Sequence, residues 1–361
     1  MSSQTPLYRH PDRFPLRRGG ALPRLQLAYE TWGELNADAS NAILLFTGLS
    51  PGAHAASSER DPDAGWWEAM IGPGKPIDTR RYYVICVNSL GSCKGSTGPA
   101  SLEPGTGQPW RLRFPALSIE DIAAATRLVL QHLGVARLHT VIGPSMGGMT
   151  TLAWLKQFPG ISNGMINISS ASSASPYAIA IRSLQREAIC SDPNWNNGHY
   201  DEECWPEQGM RIARKLGMIS YRSAAEWRER FGRQRQDQFP RTLYGMDFAI
   251  ESYLENHARR FIGQFDPICY IYLSHAMDWF DAADSHDSVA AMLQASQLQR
   301  ALVIGVETDS LFPLWQQQAL ADDLVSAGVA TEYAALDSIQ GHDAFLIDYE
   351  QFGPLVENFL A

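Results

Sequence analysis

The feature that most constrains the fold is the turn Gly143–Gly147, of sequence GPSMG, between a predicted strand and a predicted helix. The run Leu138–Gly143 before it is apolar and β-branched, and Met146–Phe158 after it has a helical pattern. The turn matches G-x-S-x-G, in which a strand passes into a helix so tightly that flanking side chains must be very small. A chain with this turn is expected to raise Ser145 above the end of a sheet. The pattern is short, so its meaning depends on the elements around it.

Apolar runs alternate with helical segments along most of the chain. The helical patterns cover Ile119–Leu133 and Met146–Phe158. Short runs rich in Val, Ile and Leu predict buried strands, and they are Ala42–Thr47, Tyr82–Asn88, Leu138–Gly143, Gly164–Ser169, Ala301–Val306 and the less apolar Ala330–Leu336. Strands that alternate with helices predict a mostly parallel sheet covered on both faces.

The alternation stops near residue 170 and resumes near residue 299. Between these points the chain is rich in Trp, Tyr, Arg and Met and contains no clear strand pattern. Together with the serine turn, this organisation predicts an α/β-hydrolase fold with a mostly parallel sheet and a helical lid insertion. We expect residues 1–170 and 299–361 to form the core and residues 171–298 to form the lid.

Composition excludes several classes of function. The net charge of −10 argues against broad binding of nucleic acid or anionic membranes, which requires a basic surface. The N-terminus is polar and lacks a signal-peptide core, and no apolar run is long enough to span a bilayer. The five cysteines are scattered and form no CxxC pair, so we expect neither disulfides nor a metal site. A cytoplasmic protein is the simplest expectation.

A serine hydroxyl is a weak nucleophile that needs a base, and an acid must orient that base. In an α/β-hydrolase fold the chain order is nucleophile, acid, histidine. His342 lies in a glycine-led loop after the last predicted strand, whereas the other late histidines fall inside the predicted lid; these are His257, His275 and His286. Asp309 follows the strand that ends at Val306, with Glu307 as a competing acid closer to that strand. We therefore predict Ser145, Asp309 and His342 as a catalytic triad.

Acyl transfer places negative charge on a carbonyl oxygen, which backbone N–H groups can stabilise. The N–H of Met146, directly after the nucleophile, is expected to be one donor of this oxyanion hole. The second should come from the loop after an early strand, here residues 46–54, in which Leu49 is our candidate.

Several longer motifs occur in addition to the serine turn. They are Tyr29–Gly33 (YETWG), Asn88–Gly91 (NSLG), Gly95–Pro99 (GSTGP), Ser145–Met149 (SMGGM), Ala213–Ser223 (ARKLGMISYRS) and Gly341–Asp343 (GHD). Together they resemble the homoserine O-acetyltransferase family, and the likeness extends from about residue 20 to the C-terminus. The resemblance implies ping-pong transfer of an acyl group from an acyl-CoA to the hydroxyl of a small amino acid, in a cytoplasmic homodimer.

The resemblance also assigns substrate-binding roles. Arg214 would hold the carboxylate of the acceptor amino acid, Asp343 would hold its ammonium, and Tyr221 would line the same pocket. A zwitterion requires one fixed cation and one fixed anion, which agrees with this assignment.

This chain departs from the usual family pattern near the acceptor site. The usual loop has small polar residues followed by a His, whereas this chain has Pro51, Gly52 and Ala53 before His54. Pro144 and Thr150 replace the usual Gly and Gln. A proline there could shorten the pocket by about one methylene, worth about 1–3 kcal/mol of discrimination. These departures are more like the serine O-succinyltransferase branch of the family.

A succinyl donor adds a distal carboxylate, which requires a cation. We expect Arg186 to set this acyl specificity, with Arg182 as the rival. The leading prediction is thus transfer of a succinyl group from succinyl-CoA to L-serine, in cysteine biosynthesis. The alternatives are homoserine O-acetyltransferase or O-succinyltransferase activity and, in a different class, ester hydrolysis by the same triad. Succinyl-CoA would be a substrate, and no bound cofactor or metal is expected.

Overall fold

A computed structural model describes residues 5–201, 203–236 and 245–361. Eight strands form the main sheet: β1 (Leu7–His10), β2 (Leu25–Trp32), β3 (Ala42–Phe46), β4 (Tyr83–Val87), β5 (Leu138–Pro144), β6 (Ser162–Ile168), β7 (Arg300–Val306) and β8 (Ala330–Leu336). Two small two-stranded sheets pair Phe14–Pro15 with Ala21–Leu22 and Ile71–Gly72 with Ile77–Asp78.

The main sheet has the strand order β1-β2-β4-β3-β5-β6-β7-β8. The pairs β1/β2 and β2/β4 are antiparallel, and every other neighbouring pair is parallel. The carboxyl ends of β3, β5, β7 and β8 therefore lie at one edge of the sheet. Loops at that edge are where open parallel sheets place ligands and catalytic groups.

Ten α-helices and three short 3₁₀ segments complete the described chain. The helices are α1 (Ile119–His132), α2 (Met146–Gln157), α3 (Pro176–Cys190), α4 (Glu207–Tyr221), α5 (Ala224–Phe231), α6 (Ala249–Phe261), α7 (Pro267–Asp278), α8 (Val289–Ala295), α9 (Leu314–Ser326) and α10 (Tyr349–Leu360). The 3₁₀ segments are Arg111–Arg113, Pro193–Gly198 and Gly341–Leu346. Across the part of the chain that the structure describes, no helix is both long and apolar enough to cross a membrane.

Side chains on each central strand alternate between two apolar cores. Leu44 of β3 and Val141 of β5 belong to a core that also includes residues of α1, α2 and α9. Their neighbours Ile43 and Ile142 belong to a second core, which includes α10 and the buried ring of Trp67. Successive side chains of a strand point to opposite faces, so a run with no polar residue fits a sheet covered on both sides.

The helices between β6 and β7 extend the first of these cores. Ala178 and Ile189 of α3 and Leu273 of α7 are buried in the same apolar cluster as α1 and α2. This apolar contact fixes part of the inserted segment against the body of the sheet, next to the edge where β5 ends.

The predicted α/β-hydrolase fold is confirmed, and all six predicted strands are present within two residues of the expected bounds. The two antiparallel strands β1 and β2 were missed. In β2 the apolar positions are interrupted by Gln26, Glu30 and Thr31, so its pattern does not read as a buried run.

The turn before Ser145 generates a prediction about stability. A Cβ added to Gly143 would lie 2.2 Å from the backbone carbonyl of Gly147, a separation that needs the backbone to move. We expect Gly143→Ala to lower the free energy of unfolding by about 3 kcal/mol, measured by urea denaturation. Gly105→Ala is the control, because nothing lies within 4 Å of the added atom; its change should stay within about 0.5 kcal/mol. Equal effects of the two substitutions would contradict the close packing of the turn.

Candidate active site

The nucleophile candidate lies on a strained turn at the carboxyl end of β5. Ser145 has φ 56° and ψ −123°, in a region that residues with a side chain rarely adopt. Its N–H donates to the carbonyl of Ile168, and its carbonyl accepts from the N–H of Gly148, at 2.9 Å each. If Gly147 carried a Cβ atom, that atom would lie only 2.6 Å from the carbonyl oxygen of Phe46. The end of β3 and the start of α2 are therefore in close contact. The surroundings thus hold the turn in a conformation it would not adopt alone.

The structure brings the three predicted triad residues into one hydrogen-bonded chain. Nε2 of His342 lies 2.8 Å from Oγ of Ser145, and Nδ1 of His342 lies 2.7 Å from Oδ2 of Asp309. All three side chains are buried. The order of contacts is that of a nucleophile, a general base and a carboxylate that orients the base.

Backbone and ring contacts fix the acid and the base. Oδ1 of Asp309 accepts hydrogen bonds from the N–H groups of Leu311 and Phe312, at 2.9 Å each. The rings of Phe312 and Phe345 pack on that of His342, at centroid distances of 5.2 and 5.7 Å. The carboxylate is therefore held with one oxygen free for the imidazole.

The net effect of the surroundings is to raise the pKa of His342 above its usual 6.5. Burial alone would lower that pKa, because it disfavours the imidazolium. The charge and hydrogen bond of Asp309 and the charge of Asp343 outweigh burial. The same carboxylate that orients the imidazole therefore also favours its protonated form.

The competing candidates lie elsewhere. Glu307 is exposed, and its N–H pairs with the carbonyl of Leu336. The rings of His257 and His275 pack on Tyr253 and Trp279 within the inserted helices, and neither residue lines the cavity at Ser145. The remaining late histidine, at 286, follows α7 and takes no part in the triad cavity.

Ser145 and His342 open into a cavity of about 170 Å³. The loop after β3 lines one side of it with residues 48–51, including Leu49, and Met146 begins α2 directly beside it. The predicted oxyanion donors therefore border the nucleophile from two chain segments. Their role stays a prediction.

The residues that the resemblance assigned to the acceptor also line this cavity: Arg214, Tyr221 and Asp343. The guanidinium of Arg214 lies over the ring of Phe261 at 4.6 Å, and its Nε has no hydrogen-bond partner among the described residues. Burial raises the pKa of Asp343 and that of Tyr221, each from its ordinary value.

Sequence reasoning missed two neighbours of this group. Arg222 places Nε 3.1 Å from Oδ2 of Asp343 and donates from Nη1 to Gln340. Tyr270 of α7 lines the cavity, and burial raises the pKa of its phenol well above the usual value. Arg222 lies inside the quoted ARKLGMISYRS motif, whereas nothing in the sequence distinguishes Tyr270 from other tyrosines of the insertion.

The predicted acceptor-specificity loop reaches the cavity only at its start. Pro51 lines it, while Gly52, Ala53 and His54 line an adjoining cavity together with Lys94 and Trp66. The imidazole of His54 is held by Glu30, at 2.9 Å. The loop therefore shapes the triad cavity mainly through its proline.

The two arginines considered for acyl specificity are placed differently. Arg182 lines the triad cavity, whereas Arg186 does not and instead lies 2.7 Å from Oδ2 of Asp278.

Among the residues that the structure covers, no group of three His, Cys, Asp or Glu side chains could hold a metal ion.

Comparison with known proteins agrees with the fold and with the motifs. The family model described as alpha/beta hydrolase fold matches residues 41–347. A serine O-succinyltransferase of Stenotrophomonas maltophilia (strain K279a) is 59% identical over 353 residues, covering 97% of this chain and 95% of the relative.

Solved structures give the same grouping. A homoserine O-acetyltransferase from Bacillus anthracis has a TM-score of 0.91 at 28% identity, over 99% of this chain and 97% of that one. The esterase E22 has a TM-score of 0.90 at 28% identity, over 99% and 100%. The resemblance predicted from the motifs is thereby confirmed. The chain belongs to the α/β-hydrolase family and, within it, to the homoserine O-acetyltransferase family, on its serine O-succinyltransferase branch.

Proposed function

We propose that this protein transfers a succinyl group from succinyl-CoA to the hydroxyl of L-serine through an acyl-enzyme. The observation that carries the proposal is the hydrogen-bonded chain from Ser145 through His342 to Asp309, which opens into a cavity that also holds Arg214 and Asp343. The 59% identity to a serine O-succinyltransferase supports the choice of substrates.

In the first half-reaction, Nε2 of His342 accepts the proton of the Ser145 hydroxyl while Oγ attacks the thioester carbonyl. The N–H groups of Leu49 and Met146 stabilise the negative charge on the carbonyl oxygen. The carbon–sulfur bond then breaks, and the imidazolium returns the proton to the departing CoA sulfur. Ser145 is left as a succinyl ester.

In the second half-reaction, the hydroxyl of the acceptor L-serine gives its proton to His342 and attacks the ester carbonyl. The oxyanion donors act again, and the bond to Oγ of Ser145 breaks as that oxygen takes the proton back. The product is O-succinylserine, and the enzyme is regenerated. His342 can serve as the base in both half-reactions because the CoA sulfur leaves, and the L-serine hydroxyl attacks, on the same side of the carbonyl.

The acceptor is held by charge. Arg214 binds the carboxylate of L-serine, Asp343 binds its ammonium, and Tyr221 lines the pocket between the helices and the His342 loop. The guanidinium of Arg214 is half-buried and lies over an aromatic ring, and it suits a carboxylate because the planar fork can donate two hydrogen bonds. Pro51, at the start of the loop Pro51–His54, shortens the pocket and favours serine over the longer homoserine.

The wider setting follows from the family resemblance. We propose that residues 171–298 act as a lid over the cavity, that the protein is a cytoplasmic homodimer, and that CoA enters as a substrate. The contacts of α3, α4 and α7 with the triad cavity support the lid.

Two further activities have specific support. The similarity to a homoserine O-acetyltransferase structure favours a larger acceptor, and the similarity to esterase E22 favours water as the acceptor. All three activities pass through an acyl-enzyme, and they differ in the acyl group that the serine carries and in the nucleophile that attacks it.

A matrix of two donors and three acceptors separates these activities. With succinyl-CoA, we expect kcat/KM for L-serine to exceed that for L-homoserine by about 10 to 100-fold, because one methylene is worth about 1–3 kcal/mol. Acetyl-CoA should be the poorer donor, and water alone should give slow CoA release. CoA release is followed with a thiol reagent. Release that does not increase on addition of any amino acid would indicate a hydrolase, and a preference for L-homoserine would indicate the other transferase.

The electrostatics of His342 predict the pH dependence of acylation. His342 must be neutral to accept the Ser145 proton, so the rate should fall as pH decreases through a pKa above 6.5. Because the charge of Asp343 helps to raise that pKa, Asp343→Asn should move this acidic limb to lower pH. The rate of the first CoA release, measured by stopped flow without acceptor, isolates this effect from acceptor binding. An unchanged limb in the Asn variant would contradict the proposed coupling.

A further inference from the structure

The residue that follows helix α4 is an arginine in contact with the acceptor site. Arg222 places Nε 3.1 Å from Oδ2 of Asp343. Asp343 lines the cavity that contains Ser145, whereas Arg222 does not. The guanidinium therefore reaches the carboxylate without being placed to touch an acceptor, and it can act on the acceptor only through Asp343.

Two further contacts hold the guanidinium of Arg222 in place. Its Nη1 donates to Oε1 of Gln340 at 3.1 Å and lies 3.9 Å from Oε1 of Glu226. The side chain of Arg222 is 18% exposed, so water screens these contacts only in part. A guanidinium bound through both Nε and Nη1 has a fixed orientation, which the flexible ammonium of a lysine does not reproduce.

Backbone packing joins the end of α4 to the loop of the base without help from this arginine. Ser223 donates to the carbonyl of Ile339, and a Cβ at Gly341 would lie 2.7 Å from the carbonyl of Tyr221. Neither contact involves the side chain of Arg222. The ion pair is therefore not needed to attach the loop, which directs attention to its effect on the carboxylate.

Arg222 is the main charge that favours the ionised form of Asp343. Burial raises the pKa of Asp343, and the charge of Arg222 is the largest influence that lowers it. His342 and Arg214 also lower this pKa, and the charge of Asp309 raises it. His342 contributes only when it is protonated, whereas an arginine is charged at every working pH. When His342 is neutral, as a base must be, Arg222 is the larger of the two remaining favourable charges.

The ion pair leaves room for the acceptor on the same carboxylate. It is made through Oδ2, and an ionised carboxylate accepts on both of its oxygens. A protonated carboxyl would lose the charge that attracts an ammonium. From these contacts we infer that Arg222 is a positioning residue for the second half-reaction, which holds Asp343 as an oriented carboxylate whose Oδ1 receives the ammonium of L-serine. This inference rests on the proposed function.

The test separates Asp343 from His342 by comparing the two half-reactions. Both require neutral His342, so the ratio of kcat/KM for L-serine to the rate of the first CoA release cancels the ionisation of His342. The ratio then reports the ionisation of Asp343 and decreases as pH falls through its pKa. In Arg222→Gln the lost positive charge should move this decrease to higher pH by about one unit. Within the decrease the ratio should fall about tenfold, and near about pH 8 it should change less than about threefold.

Arg230→Gln is the matched control. Arg230 also contacts Glu226, at 3.4 Å, but it lies over the rings of Phe231 and Tyr253 and does not line the cavity. The profile of this variant should coincide with that of the unmodified enzyme. Arg222→Lys keeps the positive charge, so its profile should keep its position on the pH scale, although loss of the planar fork lowers the ratio.

Melting temperatures show whether each variant is folded, and Arg222→Lys decides the question if Arg222→Gln is not. An unmoved profile in Arg222→Gln would overturn the assignment, as would an equal displacement in Arg230→Gln or a ratio lowered only to the same extent at every pH. A displaced profile in Arg222→Lys would also overturn it. If L-serine does not discharge the succinyl-enzyme of the unmodified protein at any pH, the proposed function itself fails.

Discussion

The chemistry of this protein depends on one strained residue. Ser145 is held at φ 56° because the glycines at 143 and 147 let the backbone of β5, α2 and β3 approach more closely than any side chain would permit. The turn directs the serine oxygen to the edge where β7 and β8 also end. Asp309 and His342 follow those strands, so the sheet brings together residues that are far apart in the sequence.

The inserted helices are attached to this edge by polar contacts as well as by the apolar core. The end of α4 meets the loop of His342, where Arg222 contacts Asp343 and Gln340, and Ser223 donates to the carbonyl of Ile339. A Cβ at Gly341 would lie 2.7 Å from the carbonyl of Tyr221, so this contact is also a close one. The His342 loop and the part of the cavity lined by α4 are therefore connected directly, and movement of one would change the other.

Much of this arrangement is predictable from the sequence because its causes are local. An uninterrupted apolar run predicts a buried strand, and the serine turn fixes where the nucleophile lies. The order nucleophile, acid, histidine that is typical of this fold then identifies Asp309 as the candidate acid and His342 as the candidate base. The choice between Arg182 and Arg186 is not local, because both lie on one helix, four residues apart, and both contact Asp278 of α7. Only the packing of the helices around the triad cavity distinguishes them, since Arg182 lines that cavity and Arg186 does not. Tyr270 and Arg222 were missed for the same reason, since their importance arises from packing between helices.

We propose above all that Ser145 carries the succinyl group between donor and acceptor. Its most direct test is mass spectrometry of enzyme quenched after mixing with succinyl-CoA in the absence of L-serine. We expect one succinyl group on the peptide that contains Ser145, removed when L-serine is added before quenching, with O-succinylserine formed in equal amount. Turnover without any such adduct, or an adduct on a different residue that L-serine discharges, would contradict it.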